Sequence, residues 1–210
     1  MGTKQLNLRN GSGSINVSTS DSAKMTVRAN KVHVGPSCVL AIEKTGSTLV
    51  VEAKNKNSGR CEVHFNISLP REVSIDLKSG SGSVQVQGTK GPISYRTGSG
   101  NVDLDGEINR LEGRSGSGSI NVKGLTGGAD LQAGSGNISI VYPKKPENGE
   151  LHLKMGSGNT IVFLPAHTKV KTSFKAGSGQ LLNELGDTHD AKFTISVKTG
   201  SGNLAIKKSL

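Results

Sequence analysis

Two residues before every Gly-Ser-Gly triplet of this 210-residue chain stands a long polar side chain: Arg9, Lys78, Arg96, Arg114, Gln132, Lys154, Lys175 and Lys198. Seven of these eight are cations, although Lys and Arg supply only 26 of the 210 residues. A cation recurring at one phase of a repeat suits a repeating anion, and the formal net charge of +10 attracts such polymers at long range. The predicted site is therefore a ladder of Arg9, Lys78, Arg96, Arg114, Lys154, Lys175 and Lys198 that binds a polyanion. The plainer reading is a solvated edge that blocks sideways sheet pairing and shelters backbone under aliphatic stems.

Other chemistries find little support. Aromatic residues make up 3% of the chain, so stacking platforms for single-stranded nucleic acid are scarce and no helix-turn-helix or zinc motif appears. An anionic surface glycan, a lipopolysaccharide or a teichoic acid fits better as partner. Calcium-binding nonapeptides need Asp in the turn, where these turns carry Ser or Asn, and no Gly-Lys-Ser or Gly-Lys-Thr marks a phosphate cradle. Asp103 and Asp105 alternate on one strand, but their stacked neighbours are Gln85, Gln87, Asn121 and Lys123. That lone acidic spot reads as a charge partner for the basic ladder rather than an acid/base pair. The five histidines lack metal-ligand spacing, so no metal or cofactor is expected; behind a non-enzymatic binding module stand a structural or assembly rod without ligand and, third, a carbohydrate-active β-helix enzyme. Cys38 and Cys61 read as two core thiols rather than a disulfide; a bond between them would favour an oxidising compartment.

The elements that position the ladder follow from the triplets themselves. They start at Gly11, Gly80, Gly98, Gly116, Gly134, Gly156, Gly177 and Gly200, the copies from Gly80 to Gly134 at a period of eighteen residues. Alternating segments flank them, such as Val73-Ile75-Leu77 before a turn and Val84-Val86 after it, which puts one set of side chains inward. A fixed period of this kind is the mark of a solenoid. The expected fold is all-β: one β-solenoid, a right-handed parallel β-helix of about 18–22 residues per coil. Its turn residues are Gly80 and Gly82, Gly98 and Gly100, Gly116 and Gly118, Gly134 and Gly136, Gly156 and Gly158, Gly177 and Gly179, and Gly200 and Gly202. Gly88, Gly106 and Gly124 turn the opposite corner. Ser83, Asn101, Ser119, Asn137, Asn159, Gln180 and Asn203, directly after the triplets, are placed to hydrogen-bond along the axis.

One domain spans 1–210, with less regular coils over 1–79 and regular ones over 80–210. Lys44-Thr45-Gly46-Ser47 reads as a degraded turn, giving about eleven coils in a rod roughly 50 Å long. The last coil ends at Leu204–Leu210 on an open edge guarded by Lys207 and Lys208, and open ends invite homo-oligomers. No apolar run approaches the ~20 residues of a membrane span. Met1–Asn10 is not a signal peptide, so the chain is expected at the cell surface, as a form without its export signal, or in the cytoplasm.

Segments such as Gly116-Ser117-Gly118-Ser119-Ile120-Asn121-Val122 resemble the bacterial putative-adhesin families, including the related head-GIN domain. The likeness covers nearly the whole chain, and Ile67-Ser68-Leu69-Pro70 is similar to a strand-then-proline step in those families. The resemblance implies a β-helix with a surface role and no catalytic residues.

Overall fold

The computed structural model describes residues 2–57 and 59–209, and among them every regular element is a strand. In chain order these are β1 (Gln5–Ser12), β2 (Ile15–Ser20), β3 (Thr26–Val34), β4 (Cys38–Thr45), β5 (Thr48–Asn55), β6 (Cys61–Pro70), β7 (Ser74–Ser81), β8 (Val84–Thr89) and β9 (Ile93–Ser99). There follow β10 (Val102–Ser117), β11 (Ile120–Ser135), β12 (Ile138–Val141), β13 (Gly149–Ser157), β14 (Thr160–Pro165), β15 (Lys171–Ser178), β16 (Leu181–Asn183), β17 (Phe193–Ser201) and β18 (Leu204–Ser209).

The Gly-Ser-Gly triplets separate two ladders. Strands that run into the triplets stack in the order β5, β1, β7, β9, the second half of β10, the second half of β11, β13, β17, β15. Strands that leave the triplets stack as β6, β2, β8, the first half of β10, the first half of β11, β12, β14, β18, β16. All of these pairings are parallel. Between β10 and β11 the partners Val102↔Ile120 and Ser117↔Ser135 lie eighteen residues apart, as the sequence period predicts.

Because β10 and β11 run through the corner at Gly106 and Gly124 without a break, the two ladders share strands. β1, β6, β2, β8, β10, β9 and β7 thereby close a ring of seven parallel pairings. The nine levels that can be counted among the described residues, as enumerated above, are fewer than the eleven coils expected from length.

The deficit arises at the ends. β3 pairs antiparallel with β6 and β4 antiparallel with β5, so this segment caps the stack instead of adding parallel coils. The Gly46-Ser47 step is a hairpin loop between antiparallel strands, with Gly46 at φ 59°, rather than a degraded copy of the repeat turn. The first level, β1 and β2, lies inside the stack between β5/β6 and β7/β8. The last level is likewise interior. β17 lies between β13 and β15, and β18 between β14 and β16, which overturns the expectation that Leu204 onward forms the open edge. Leu210 itself is outside the described residues. The free edge at that end belongs to β15 and β16.

Within the stacked levels the two glycines of a triplet are required for different reasons, whereas Gly11 of the first triplet has room for a side chain. Gly118 has φ +114°, and a Cβ there would stand 2.3 Å from the Gly100 carbonyl oxygen of the preceding level. Gly116 has no such φ, yet its Cβ would meet the Gly98 oxygen at 2.4 Å. Close backbone stacking therefore specifies glycine as strongly as the turn does.

Between the two ladders the inward side chains form one apolar core, including Leu77, Tyr95, Leu131, Leu153 and Val197, all buried. One inward column combines its largest and smallest residues on adjacent levels, Tyr95 and Gly113. The Tyr95 ring fills the space beneath Gly113, where a Cβ would come within 2.3 Å of it. Its hydroxyl is buried without a hydrogen-bond partner, and burial pushes that phenol well above its ordinary pKa. Tyr142 stacks edge-on against Phe193 with centroids 5.3 Å apart and donates its hydroxyl to the Gly127 carbonyl at 3.1 Å. Cys38 and Cys61 form a disulfide, contrary to the free thiols expected, because the cap brings the starts of β4 and β6 to a Cα separation of 5.1 Å. Equal spacing along a chain cannot reveal this; the antiparallel turn-back does.

Candidate polyanion-binding groove

Strand parity places the predicted cations on the outer face of the first ladder, and strand register puts all seven in one column. The pairings run Glu52–Arg9–Lys78–Arg96–Arg114–Gln132–Lys154–Lys198–Lys175. Neighbours are about 4.8 Å apart along the axis. The order differs from the sequence in two places. Arg9 is interior to the column because β1 is intercalated, and Lys198 precedes Lys175 because β17 is. Gln132 divides the column into a block of four cations and a block of three, and Glu52 closes the first block.

The block of four lines a groove of about 620 Å³, with Arg9, Lys78, Arg96 and Arg114 along one side. Its floor is the row that follows them, Asn10, Ser79, Thr97 and Ser115, then the backbone of Gly11, Gly80, Gly98 and Gly116. Glycines hold this floor flat, because any side chain on Gly80, Gly98 or Gly116 would collide with the level before it.

None of the seven column cations makes an ion pair among the described residues. Acids do stand nearby: Asp76 and Glu112 lie two residues before Lys78 and Arg114. Glu112 is taken by Arg110, whose guanidinium donates to it at 2.6 Å. Asp103 and Asp105 belong to the other ladder, where Asp103 accepts from the Asn121 amide at 2.8 Å. They are not the charge partners of the basic ladder that the sequence suggested. The cationic side chains are thus left to solvent or to an anion.

The floor residues went unnoticed in the sequence. Thr97, Ser115 and Thr199 are buried and donate their hydroxyls to the carbonyls of Ser99, Ser117 and Ser201 at 3.3, 3.2 and 3.2 Å. Ser79 Oγ, at the same phase, has no partner, nor has Asn10 Oδ1, although both residues are over nine-tenths buried. A third unpartnered oxygen, Asn55 Oδ1, belongs to another residue lining the groove. A polar residue recurring at an inward phase was the available signal. Buried polar atoms without partners are costly and rare; these three are closed off from solvent, with the Asn10 amide donating inward to the Gly13 and Val63 carbonyls at 3.0 and 2.8 Å, so they belong to the packing beneath the groove rather than to its accessible surface.

The corner column behaves as expected. The side-chain oxygens of Asn101, Asn137, Asn159 and Asn203 accept the backbone N–H of Ser119, Asn159, Asn203 and Gln180 at 3.0, 3.0, 2.9 and 2.8 Å. It ties levels together. No cluster of three or more His, Cys, Asp or Glu residues among those described could hold a metal ion. No helix among them is long and apolar enough to cross a membrane.

Stacked parallel strands with an open groove, rather than an enclosed cavity, define an all-β repeat architecture. Residues 66–207 match the Toastrack DUF4097 profile, and the chain belongs to that family. A putative adhesin from Bacteroides fragilis has a similar fold, at 14% identity and TM-score 0.55, covering 98% of this chain and 93% of its own. A putative cell adhesion protein from Clostridium sporogenes is 17% identical with TM-score 0.39, covering 99% and 94%. A putative lipid binding protein from Parabacteroides distasonis is also 17% identical, with TM-score 0.41 and coverage of 100% and 93%. No curated protein matches the chain.

Proposed function

We propose that this chain is a non-enzymatic, extracytoplasmic β-solenoid, right-handed and a single unit over 1–210, that binds an acidic polysaccharide along its cationic column. Kinship with the head-GIN domain is part of the same proposal. The observation that carries it is the groove itself, which Arg9, Lys78, Arg96 and Arg114 line at consecutive levels without an ion-pair partner among the described residues. A uronate or sulfate polymer offers the regularly repeating anionic charge that such a row of cations suits. Nucleic acid offers the charge but finds no aromatic platform here. The Cys38–Cys61 disulfide supports an oxidising compartment, and the names of the structural neighbours point the same way.

The test is a titration with polygalacturonate, heparin, lipopolysaccharide, teichoic acid and duplex DNA at low and high salt. Exposed ion contacts are worth about 0.5–1 kcal/mol each, so Arg96→Glu with Arg114→Glu, which exchanges two attractions for two repulsions, removes about 2–4 kcal/mol. Lys24→Glu with Lys56→Glu, off the column, changes affinity little. Equal losses from the two pairs, or no binding to any of the polymers, would return the column to the status of a solvated edge. An alternative reading, a structural rod without ligand, is favoured by one observation: the apolar residues exposed on the two ends.

A further inference from the structure

Among the described residues the exposed large hydrophobics are Val32, Val34, Ile42, Leu181 and Leu182, and all five lie on terminal strands of the stack. Three of them have core parity. Val34 pairs with Cys61, Ile42 with Val51 and Leu181 with Leu204, each partner being buried. The apolar core therefore runs out into solvent at both ends instead of being closed by a polar cap, and solenoids need such caps for solubility. Both ends also present strands with one unpaired edge, β3 and β4 at one, β15 and β16 at the other.

We propose that these two ends bind each other, so that copies of this chain stack head to tail. The occupant of each end is a second copy because the two surfaces complement one another in three respects. Apolar residues face apolar residues. On the first ladder the β4 end carries Glu43, with Lys44 beside it, and the β15 end Lys171 and Lys175, while on the second ladder the β3 end carries Arg28 and Lys31 and the β16 end is followed by Glu184. With the two faces aligned, Glu43 comes to the lysines of β15 and Glu184 to the cations of β3. Direction also fits: β4 runs against the ladder and β15 runs with it, so the new pair is antiparallel. Tail-to-tail or head-to-head pairing would leave one apolar end uncovered, and such heterologous contacts extend into filaments unless the rotation closes a ring. This inference is independent of the groove, whose cations lie on the flank of the stack.

Sedimentation tests it with two blocked variants, Ile42→Lys/Glu43→Lys at one end and Leu182→Lys/Glu184→Lys at the other. The wild-type chain gains mass as concentration rises from micromolar to millimolar, each variant alone stays monomeric, and an equimolar mixture forms a one-to-one dimer and nothing larger. Melting curves matching the wild type establish that the variants fold, and Val34→Lys with Leu181→Lys provides a second pair. A wild-type chain that stays monomeric at millimolar concentration, a blocked variant that dimerises alone, or a mixture without dimer overturns the proposal.

Discussion

Replacing Gly118 by Ala separates close stacking from every weaker account of the triplets. The added Cβ would stand 2.3 Å from the Gly100 oxygen and 2.7 Å from its carbon, both backbone atoms of the level below. Relief requires levels held together by Val102↔Ile120 and Ser117↔Ser135 to move apart. The left-handed backbone costs about 1–2 kcal/mol and the overlap about 1–3 more. A total of about 2–5 kcal/mol in a chain of this length lowers the melting temperature by roughly 4–20 °C. Two controls isolate the causes. Gly46→Ala meets nothing within 4 Å but has φ +59°, so it should lose only the conformational share, about 1–2 kcal/mol. Gly11→Ala has no positive φ, and its nearest contact is Ala53 O at 4.0 Å, so it should melt like the wild type. Calorimetry of the three variants decides: a Gly118→Ala melt indistinguishable from Gly11→Ala would refute close stacking of the levels.

Three further outcomes follow from named contacts. Reduction of the Cys38–Cys61 bond, which closes 23 residues, should cost about 3 kcal/mol and lower the melting temperature, as a melt with and without reductant checks. Tyr95→Phe should raise stability by about 1 kcal/mol, because it removes a buried hydroxyl that has no partner; a destabilised variant would mean the hydroxyl is satisfied. The Glu62 carboxyl is held below its ordinary pKa, first by its hydrogen bond with His33 and also by the charges of His33 and His64. A depressed pKa adds stability that is present above the unfolded value and lost as pH falls through the folded one, so Glu62→Gln should lower stability slightly at neutral pH, leave strongly acid pH unchanged and thereby flatten the acid limb of the stability curve.

Much of the repeating body was legible because its causes are local. The period of eighteen, the glycine pairs and the alternation of Ile75 and Leu77 or Val84 and Val86 each describe one level, and every level is built alike. What the sequence concealed is which level touches which. Alternation in Met25-Val27-Ala29 reveals a face but not a direction, since a strand keeps its parity whether it runs with the ladder or against it, and so β3 passed for another parallel coil. Nor does any residue of β1 or β17 announce that it pairs on both sides, because Leu6 and Ile195 look like any other inward residue. The cationic column was visible as a phase; its division at Gln132 and its closure by Glu52 needed the register. Asn10 and Ser79 escaped notice because a small polar residue beside a glycine turn is commonplace until its partners are counted.

Most direct as a test of ligand binding is nuclear magnetic resonance of the labelled protein titrated with a short oligogalacturonate. Shifts concentrated on the backbone amides of Ser79, Gly80, Thr97, Gly98, Ser115 and Gly116, vanishing at high salt and in Arg96→Glu/Arg114→Glu, are the predicted result. Shifts on the opposite ladder around Gln85 and Asn121, or none at saturating ligand, would contradict it.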